Sequence, residues 1–297
     1  MKIAGHTLGT PGMPVEAALR LFHTAGLEAA EIIWQNDYLA AIPEDDSGQI
    51  VKNVREISSD LGLDIAGLTP YMSGYNSLDD QERAKDMERL RRCLNVAAEL
   101  NCHNVRVYAG SYKPGDGQRQ EKWQPLVEAL QRLGEEAETL GVTLCVENHF
   151  NTMTVSAAET VELMQAVNSK GVGILYDQAN LAFTHNEPYQ EAIDLQREWI
   201  RYVHVKDLVF VDASKPFNAD EVARVKAEDR SVRSRVVGEG VLDWFSILKK
   251  LTDSGYAGYL SLEYEYRWHP DDLPPPEEGF KRSAETLKRF IKDLNNS

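Results

Sequence analysis

The sequence is poor in the features that mark several large protein classes. It has three cysteines in 297 residues, Cys93, Cys102 and Cys145, and no CxxC pair. This odd number argues against a disulfide framework and a zinc–thiolate site, and favours buried thiols in a reducing compartment. No apolar run approaches the ~20 residues of a membrane span, and the first residues lack the apolar core of a signal peptide. We therefore expect a cytoplasmic protein that has no membrane partner.

Positive charge is also scarce. The chain has 32 lysines and arginines against 47 aspartates and glutamates, which gives a formal net charge of −15. Such a field repels a phosphate backbone, because nucleic-acid binding normally needs a basic surface. We expect no nucleic-acid partner, and the same excess of negative charge suits a site that attracts a cation.

Short apolar runs alternate with longer amphipathic segments along the whole chain. Eight runs are typical of strands, and a helical pattern follows each one; they are residues 3–6, 29–34, 63–69, 104–108, 142–147, 172–177, 200–206 and 259–263. This alternation predicts a parallel sheet, and eight such units favour a closed (β/α)8 TIM barrel of class α/β. An open sheet would favour a GxGxxG turn after the first strand, and residues 9–12 do not form one. No linker divides the chain, so we expect a single domain over residues 1–297.

Two segments are unusually long and polar for connections in such a barrel. They span about residues 70–78 and 208–240, and each follows a predicted strand. Both therefore belong to the carboxyl-terminal face, where long loops are often lids or substrate walls. A subunit contact or a solvated excursion is the alternative for each. The sequence allows a homo-oligomer without specifying one.

Four consecutive strands end in a polar residue that faces the barrel interior. Alternate residues of a strand face the helices and the interior. In residues 142–147 the two valines and the leucine face the helices, which turns Glu147 inward. The same alternation turns Asp177, His204 and Glu263 inward. All four fall at the carboxyl-terminal mouth, where barrel enzymes keep their active sites.

Three carboxylates that meet in one pocket repel one another unless some protonate or a cation binds. Three carboxylates and one imidazole suit a hard or borderline divalent ion. We therefore expect one divalent metal ion, with Mn²⁺ as the first candidate and Mg²⁺, Co²⁺ and Zn²⁺ as alternatives.

Several runs at these strand ends resemble one group of barrel enzymes. They are VENH at 146–149, YDQAN at 176–180, YVHVKD at 202–207, GEGVLDW at 238–244 and SLE at 261–263. Their order and types resemble the sugar phosphate isomerase/epimerase group of the xylose-isomerase-like TIM barrel superfamily, over nearly the whole chain. The resemblance implies that Glu147, Asp177, His204 and Glu263 are metal ligands. It also implies that Glu147 and Glu263 are catalytic and exchange the substrate proton, as the matching glutamates do in ketose epimerases.

The function that this resemblance implies is an isomerase or epimerase acting on a ketose or related polyhydroxy ketone. The reaction would abstract a proton next to the carbonyl and pass through a metal-stabilised enediolate. A lyase or dehydratase that uses the same enolate, such as an inosose dehydratase or a C-glycoside-cleaving enzyme, is the alternative. A non-catalytic sugar-binding barrel is a third reading. The expected partner is a small sugar or polyol-derived ketone.

Further residues are candidates for substrate binding. His6 ends the first strand, His149 shares the inward parity of Glu147, and Asn180 lies three residues after Asp177. Lys206 faces inward beyond His204 and could bind an oxyanion or pair with Asp207. Arg235 precedes the glycine turn at 238–240 much as a substrate-binding arginine does in ketose epimerases, with Arg233 as the alternative.

Other positions near the mouth carry weaker signals. Trp34 suits either a pocket wall or the core, and Arg106 inside the barrel needs a carboxylate partner, for which Glu31 is a candidate. Relatives often have a histidine at the end of the third strand, where Thr69 stands. Endonuclease IV relatives need further histidines for a three-zinc cluster, whereas His23 and His103 lie in a predicted helix and at a strand start. This difference and the net charge argue against DNA repair.

Overall fold

The computed structural model describes residues 1–113, 115–212, 214 and 230–296, and only the backbone at His185. These residues form eleven strands, which are β1 (Lys2–His6), β2 (Ala29–Trp34), β3 (Ala41–Ile42), β4 (Asp64–Pro70), β5 (Asn104–Tyr108), β6 (Thr143–Glu147), β7 (Val172–Asp177), β8 (Ile200–Val205), β9 (Asp207–Phe210), β10 (Val232–Arg235) and β11 (Tyr259–Leu262). Eight of them form the barrel in the order β1-β2-β4-β5-β6-β7-β8-β11, and β11 pairs with β1 to close it. Every pairing within this barrel is parallel.

Nine α-helices in the described part of the chain connect or follow these strands. They are α1 (Val15–Thr24), α2 (Gln49–Leu61), α3 (Asp80–Glu99), α4 (Arg119–Thr139), α5 (Ala157–Val167), α6 (Gln178–His185), α7 (Tyr189–Gln196), α8 (Trp244–Asp253) and α9 (Pro276–Asn295). Local sequence fixes several of their starts. Ser156 and Glu159 form a capping box at α5, and Asp79 accepts backbone N–H bonds at the start of α3.

The predicted single-domain TIM barrel is confirmed, with its eight strands in the predicted places. The predicted loop over residues 208–240 is not irregular throughout, because short strands lie near its start and its end. There β9 and β10 form an antiparallel ribbon in which Arg235 pairs with Asp207. The intervening residues 213 and 215–229 lie outside the described part. The short β3, which pairs with the end of β2, and helix α6 were not predicted from the sequence.

Side-chain alternation divides the strands as the sequence predicts. Outward residues such as Val146, Ile174 and Val203 pack with the helices in the main core. The barrel interior holds a smaller cluster of mostly small residues, which are Ala4, Ala29, Ala66, Cys145, Leu175 and Tyr202. Polar residues above this cluster are therefore buried at the carboxyl ends of the strands. Among the described helices, none has the length and apolar character needed to cross a bilayer.

Candidate active site

Four buried side chains meet at the carboxyl ends of four neighbouring strands. Glu147 ends β6, Asp177 ends β7, His204 lies near the end of β8, and Glu263 follows β11. Each offers one potential ligand atom, and these atoms all lie within 4.8 Å of one another. The arrangement follows from parallel strands in register, which bring these positions to one edge of the barrel. We call this set the four-residue cluster.

His204 lies at the centre of the cluster. Its Nδ1 atom is 3.3 Å from Glu147 Oε1, 3.5 Å from Glu263 Oε2 and 4.0 Å from Asp177 Oδ2. The opposite ring nitrogen, Nε2, is 3.1 Å from both carboxylate oxygens of Glu31. The Nδ1 edge of the imidazole ring thus faces the cluster, and the Nε2 edge is bound by Glu31.

Glu147 is bound by a buried arginine. Arg106 donates from Nε to Glu147 Oε2 at 2.7 Å, and its Nη2 donates to the same oxygen. The guanidinium carbon lies 3.6 Å from the ring centroid of Tyr108, and this cation–π contact holds the Arg106 side chain beside Glu147. The sequence-based pairing of Arg106 with Glu31 is therefore wrong. Arg106 on β5 lies beside β6 and reaches Glu147, whereas Glu31 is occupied by neutral donors and histidine.

Asp177 has a structural task besides its place in the cluster. It is the N-cap of α6, and its Oδ1 accepts the backbone N–H of Asn180 at 3.0 Å. The Asn148 side chain donates to the Asp177 carbonyl at 2.9 Å and accepts its N–H at 3.2 Å. The cap and this amide bridge fix the Asp177 backbone at the point where strand becomes helix.

Lys206 lies among the carboxylates. Its Nζ is 2.7 Å from Glu263 Oε2, 3.0 Å from Asp177 Oδ2 and 3.7 Å from Glu265 Oε1. The alternative that Lys206 pairs with Asp207 is wrong. Asp207 instead accepts backbone N–H bonds from the 238–242 turn and from Leu208. Gly240 is needed there, because a Cβ atom would stand 2.0 Å from Asp207 Oδ1.

Burial and neighbouring charges give the cluster unequal proton affinities. Burial would raise the pKa of Glu147, but Arg106 and a hydrogen bond from His204 hold that pKa well below its ordinary value. Lys206 and His204 likewise overcome burial and lower the pKa of Glu263. For Asp177, burial and the charges of Glu263 and Glu147 raise the pKa to about 7. Burial would lower the pKa of His204, but Glu31 and Glu263 raise it well above its ordinary value.

The donor set fits a divalent cation. Among the described residues, Asp177 Oδ2 is buried without a hydrogen-bond partner. The Lys206 ammonium at 3.0 Å forms only an ion pair with that oxygen. A buried carboxylate oxygen without a hydrogen bond is costly, and a cation that accepts oxygen and imidazole ligands would satisfy it.

A second polar layer lies directly below the cluster. Glu31 on β2 is fully buried and accepts hydrogen bonds from the Thr69 hydroxyl and, at 2.9 Å, from the Tyr202 hydroxyl. His6 Nε2 is 3.5 Å from Glu31 Oε1, and His6 Nδ1 accepts the Leu8 N–H at 2.9 Å. Thr69 therefore contributes to this layer.

The other predicted substrate residues surround the cluster at different depths. Asn180 is buried and donates to Glu147 Oε1 at 3.3 Å. His149 is half-buried beside Tyr108, and burial lowers its pKa to about 4. Arg235 lines a small cavity together with Lys206 and Glu263. Trp34 belongs to the core between the barrel and the helices.

Two residues have roles at the site that were not predicted from the sequence. Asn148 follows Glu147, and strand alternation pointed it away from the interior, yet its side chain turns along the strand ends to Asp177. Glu31 shares the inward parity of a cluster residue but lies one layer deeper. A buried carboxylate in the middle of an apolar strand was the available signal for Glu31.

Fold and site together define the class: a parallel (β/α)8 barrel with three carboxylates and one imidazole gathered at the carboxyl ends of its strands. The family pattern described as xylose isomerase-like TIM barrel matches residues 19–290. The chain belongs to this family.

Individual relatives in the family are distant. The chain is 29% identical over 146 residues to an inosose dehydratase of Geobacillus thermodenitrificans (strain NG80-2), a match that covers 49% of this chain and 48% of that protein. It thus spans about half the length of that relative. It is 23% identical to a fructoselysine 3-epimerase of Escherichia coli O157:H7, over 89% of this chain and 90% of that one. A crystal structure of the IOLI protein with a bound zinc atom superposes with a TM-score of 0.77 at 18% identity, covering 99% of each chain.

Proposed function

We propose that this protein is a divalent-metal-dependent enzyme that removes a proton next to the carbonyl of a ketose or related polyhydroxy ketone. We propose an isomerase or epimerase as the first candidate for this activity. The observation that carries it is the four-residue cluster, in which three carboxylates and one imidazole lie within 4.8 Å of one another at the barrel mouth. Relatives named as a fructoselysine 3-epimerase and an inosose dehydratase support a small sugar or polyol ketone as substrate.

Glu147, Asp177, His204 and Glu263 are proposed to hold the metal. When bound there, a divalent cation supplies Lewis-acid polarisation of the substrate carbonyl. Mn²⁺ is the first candidate, and Mg²⁺, Co²⁺ and Zn²⁺ suit the same ligands. The zinc in the IOLI crystal structure supports a divalent ion in this fold without choosing among these.

The chain's own groups would then move the proton. Glu147 and Glu263 come from opposite sides of the cluster, on β6 and just after β11, and are proposed to take and return it. Lys206, 2.7 Å from Glu263, places a positive charge where the substrate oxygen would gain negative charge. Asn180, His149 and Arg235 are proposed to contact substrate hydroxyl groups around this centre.

A lyase with the same first step is the second candidate, and one contact favours it. Inversion at a carbon needs two groups that exchange protons, whereas elimination needs one base and a leaving-group acid. Glu147 Oε2 accepts two N–H groups of Arg106, and its Oε1 accepts from Asn180. These bonds leave Glu263 as the freer base. His149, Lys206, Tyr71 or Tyr75 is then the candidate acid.

Proton NMR in D₂O tests the proposal. Metal-loaded protein is incubated with a panel of ketoses and keto-cyclitols, together with the variant Glu263→Gln. Glu128→Gln, which alters an exposed glutamate on α4, is the matched control. We expect deuterium at one carbon next to the carbonyl with wild type and Glu128→Gln, and none with Glu263→Gln.

The products of that incubation decide between the two candidates. A recovered epimer or isomer assigns the first, and loss of water or an aglycone assigns the lyase. Deuterium incorporation that continues unchanged in the Glu263→Gln variant contradicts the proposed chemistry.

A further inference from the structure

The polar layer below the four-residue cluster has an unusual centre. Glu31 is fully buried, and no lysine or arginine of the described residues forms an ion pair with it. Its partners are the Thr69 hydroxyl, the Tyr202 hydroxyl at 2.9 Å and His204 Nε2 at 3.1 Å. A buried carboxylate is costly unless hydrogen bonds satisfy it, and the groups that Glu31 contacts indicate whether it has a task besides packing.

The layer could itself be a second metal site, because His6, Glu31 and His204 bring potential ligand atoms within 4.8 Å. The hydrogen bonds argue against that reading. His6 Nδ1 accepts the Leu8 N–H at 2.9 Å, so the proton of the neutral ring is on Nε2, which faces Glu31 at 3.5 Å. An N–H that points at the carboxylate offers no lone pair to a metal. His6 Nε2 makes no hydrogen bond among the described residues, so His6 meets Glu31 only through this longer polar contact and is not placed as a metal ligand.

The same reasoning assigns the two nitrogens of His204. Its Nε2 lies 3.1 Å from both oxygens of Glu31, so Nε2 carries a proton that it donates. Nδ1, which faces Glu147 at 3.3 Å and Glu263 at 3.5 Å, is then the nitrogen whose proton a metal would replace, because Nε2 keeps its proton for Glu31. A hydrogen bond to one imidazole nitrogen determines which nitrogen can bind a metal.

We propose that Glu31 is a positioning residue that fixes the tautomer and orientation of His204, so that Nδ1 is presented to a metal in the four-residue cluster. This proposal rests on the proposed function. Hydrogen bonds from Thr69 and Tyr202 hold the Glu31 carboxylate in place, and the His6 ring lies beside it. His6 accordingly belongs to this layer, which replaces the substrate contact suggested by its sequence position.

Metal affinity tests the proposal through two variants of Glu31. Glu31→Gln keeps an acceptor for the His204 N–H but loses the charge, and Glu31→Leu removes the acceptor. We expect chelator competition with Zn²⁺ to show affinity about 10–100-fold weaker for Glu31→Gln and weaker still for Glu31→Leu. Leu163→Ala, which opens a cavity on the buried face of α5 and removes no contact of Glu31 or His204, controls for destabilisation and should bind like wild type.

A spectroscopic measurement on the unaltered protein needs no variant to fold. In ¹⁵N–¹H correlation spectra of zinc-loaded protein, the His204 ring should show a protonated Nε2 and a zinc-bound Nδ1. The opposite assignment, or two zinc ions per chain, overturns the proposal. So does affinity within twofold of wild type in both Glu31 variants. Wild type that binds no divalent metal would instead refute the proposed function. Failure of the Glu31 proposal and failure of the proposed function therefore give different results.

Discussion

The two glutamates of the candidate site differ in their cationic neighbours. Glu147 is held by Arg106 through two N–H groups on one oxygen, whereas Glu263 is paired with the more flexible Lys206. An arginine fork fixes a carboxylate in one plane, while a lysine is a mobile point charge. The arginine therefore suits a glutamate that must stay ionised and in place, and the lysine suits one whose neighbourhood changes when substrate arrives.

Metal binding should release protons in a pH-dependent way. Burial and nearby carboxylates raise the pKa of Asp177 to about 7, and Glu31 and Glu263 keep the pKa of His204 well above its ordinary value. A metal needs both groups without the proton. Below pH 7 we expect more protons released per ion than at pH 8, where Asp177 has already lost its proton, so affinity rises with pH. Calorimetry in two buffers of different ionisation enthalpy measures this; affinity that falls as pH rises would contradict it.

At the scale of the elements, the ends of β6 and β7 are joined by a side chain as well as by the sheet. Asn148 bonds both the N–H and the carbonyl of Asp177, where the strand passes directly into α6. The sheet ladder alone could not satisfy these groups, because the chain turns away from the barrel at this residue. The amide thus stabilises the fold and places a cluster carboxylate at the same time.

Replacing this amide should destabilise the protein measurably. Asn148→Ala leaves two buried backbone groups of Asp177 without partners, so we expect a loss of about 2–4 kcal/mol in the free energy of unfolding. Urea denaturation of the metal-free protein measures it. Asn95→Ala, on the exposed face of α3, should change the free energy by less than ~0.5 kcal/mol. Equal effects of the two substitutions would contradict the assigned role of Asn148.

Strand elements were predictable because each carries a strong local pattern. Apolar runs between amphipathic segments specified the eight barrel strands, and their alternation specified which residue of each faces inward. Helix α6 was missed because Asp177 is at once the last strand residue and the N-cap. The partner of Arg106 was also missed, because a choice between two buried carboxylates depends on which strands are neighbours and on layer depth.

For the whole molecule, closure of the barrel brings together groups that are far apart in the chain. The β1–β11 pairing joins residues near both ends, and His204 contacts Glu31 across 173 positions of sequence. A net charge of −15 and a buried cluster of carboxylates both oppose the folded state. A bound cation should therefore stabilise the entire barrel, because the unfolded chain has no comparable site.

Metal removal should lower the melting temperature. At a metal concentration of 100 times Kd, binding adds about 2.7 kcal/mol, which corresponds to roughly 5 °C for a chain of this size. Excess chelator should reverse the increase. Calorimetry of wild type and Asp177→Asn, with and without Mn²⁺, measures it. The same rise in Asp177→Asn would show that the ion binds elsewhere.

Metal stoichiometry, determined by elemental mass spectrometry after dialysis against each candidate ion, tests the four-residue cluster most directly. We predict one divalent ion per chain in wild type and in Glu128→Gln, and loss of that ion in Glu147→Gln, Asp177→Asn, His204→Ala and Glu263→Gln variants that remain folded. Wild type without a bound ion under every condition would contradict the metal-dependent function and favour a non-catalytic sugar-binding barrel. Full occupancy in all four variants would move the metal away from this cluster.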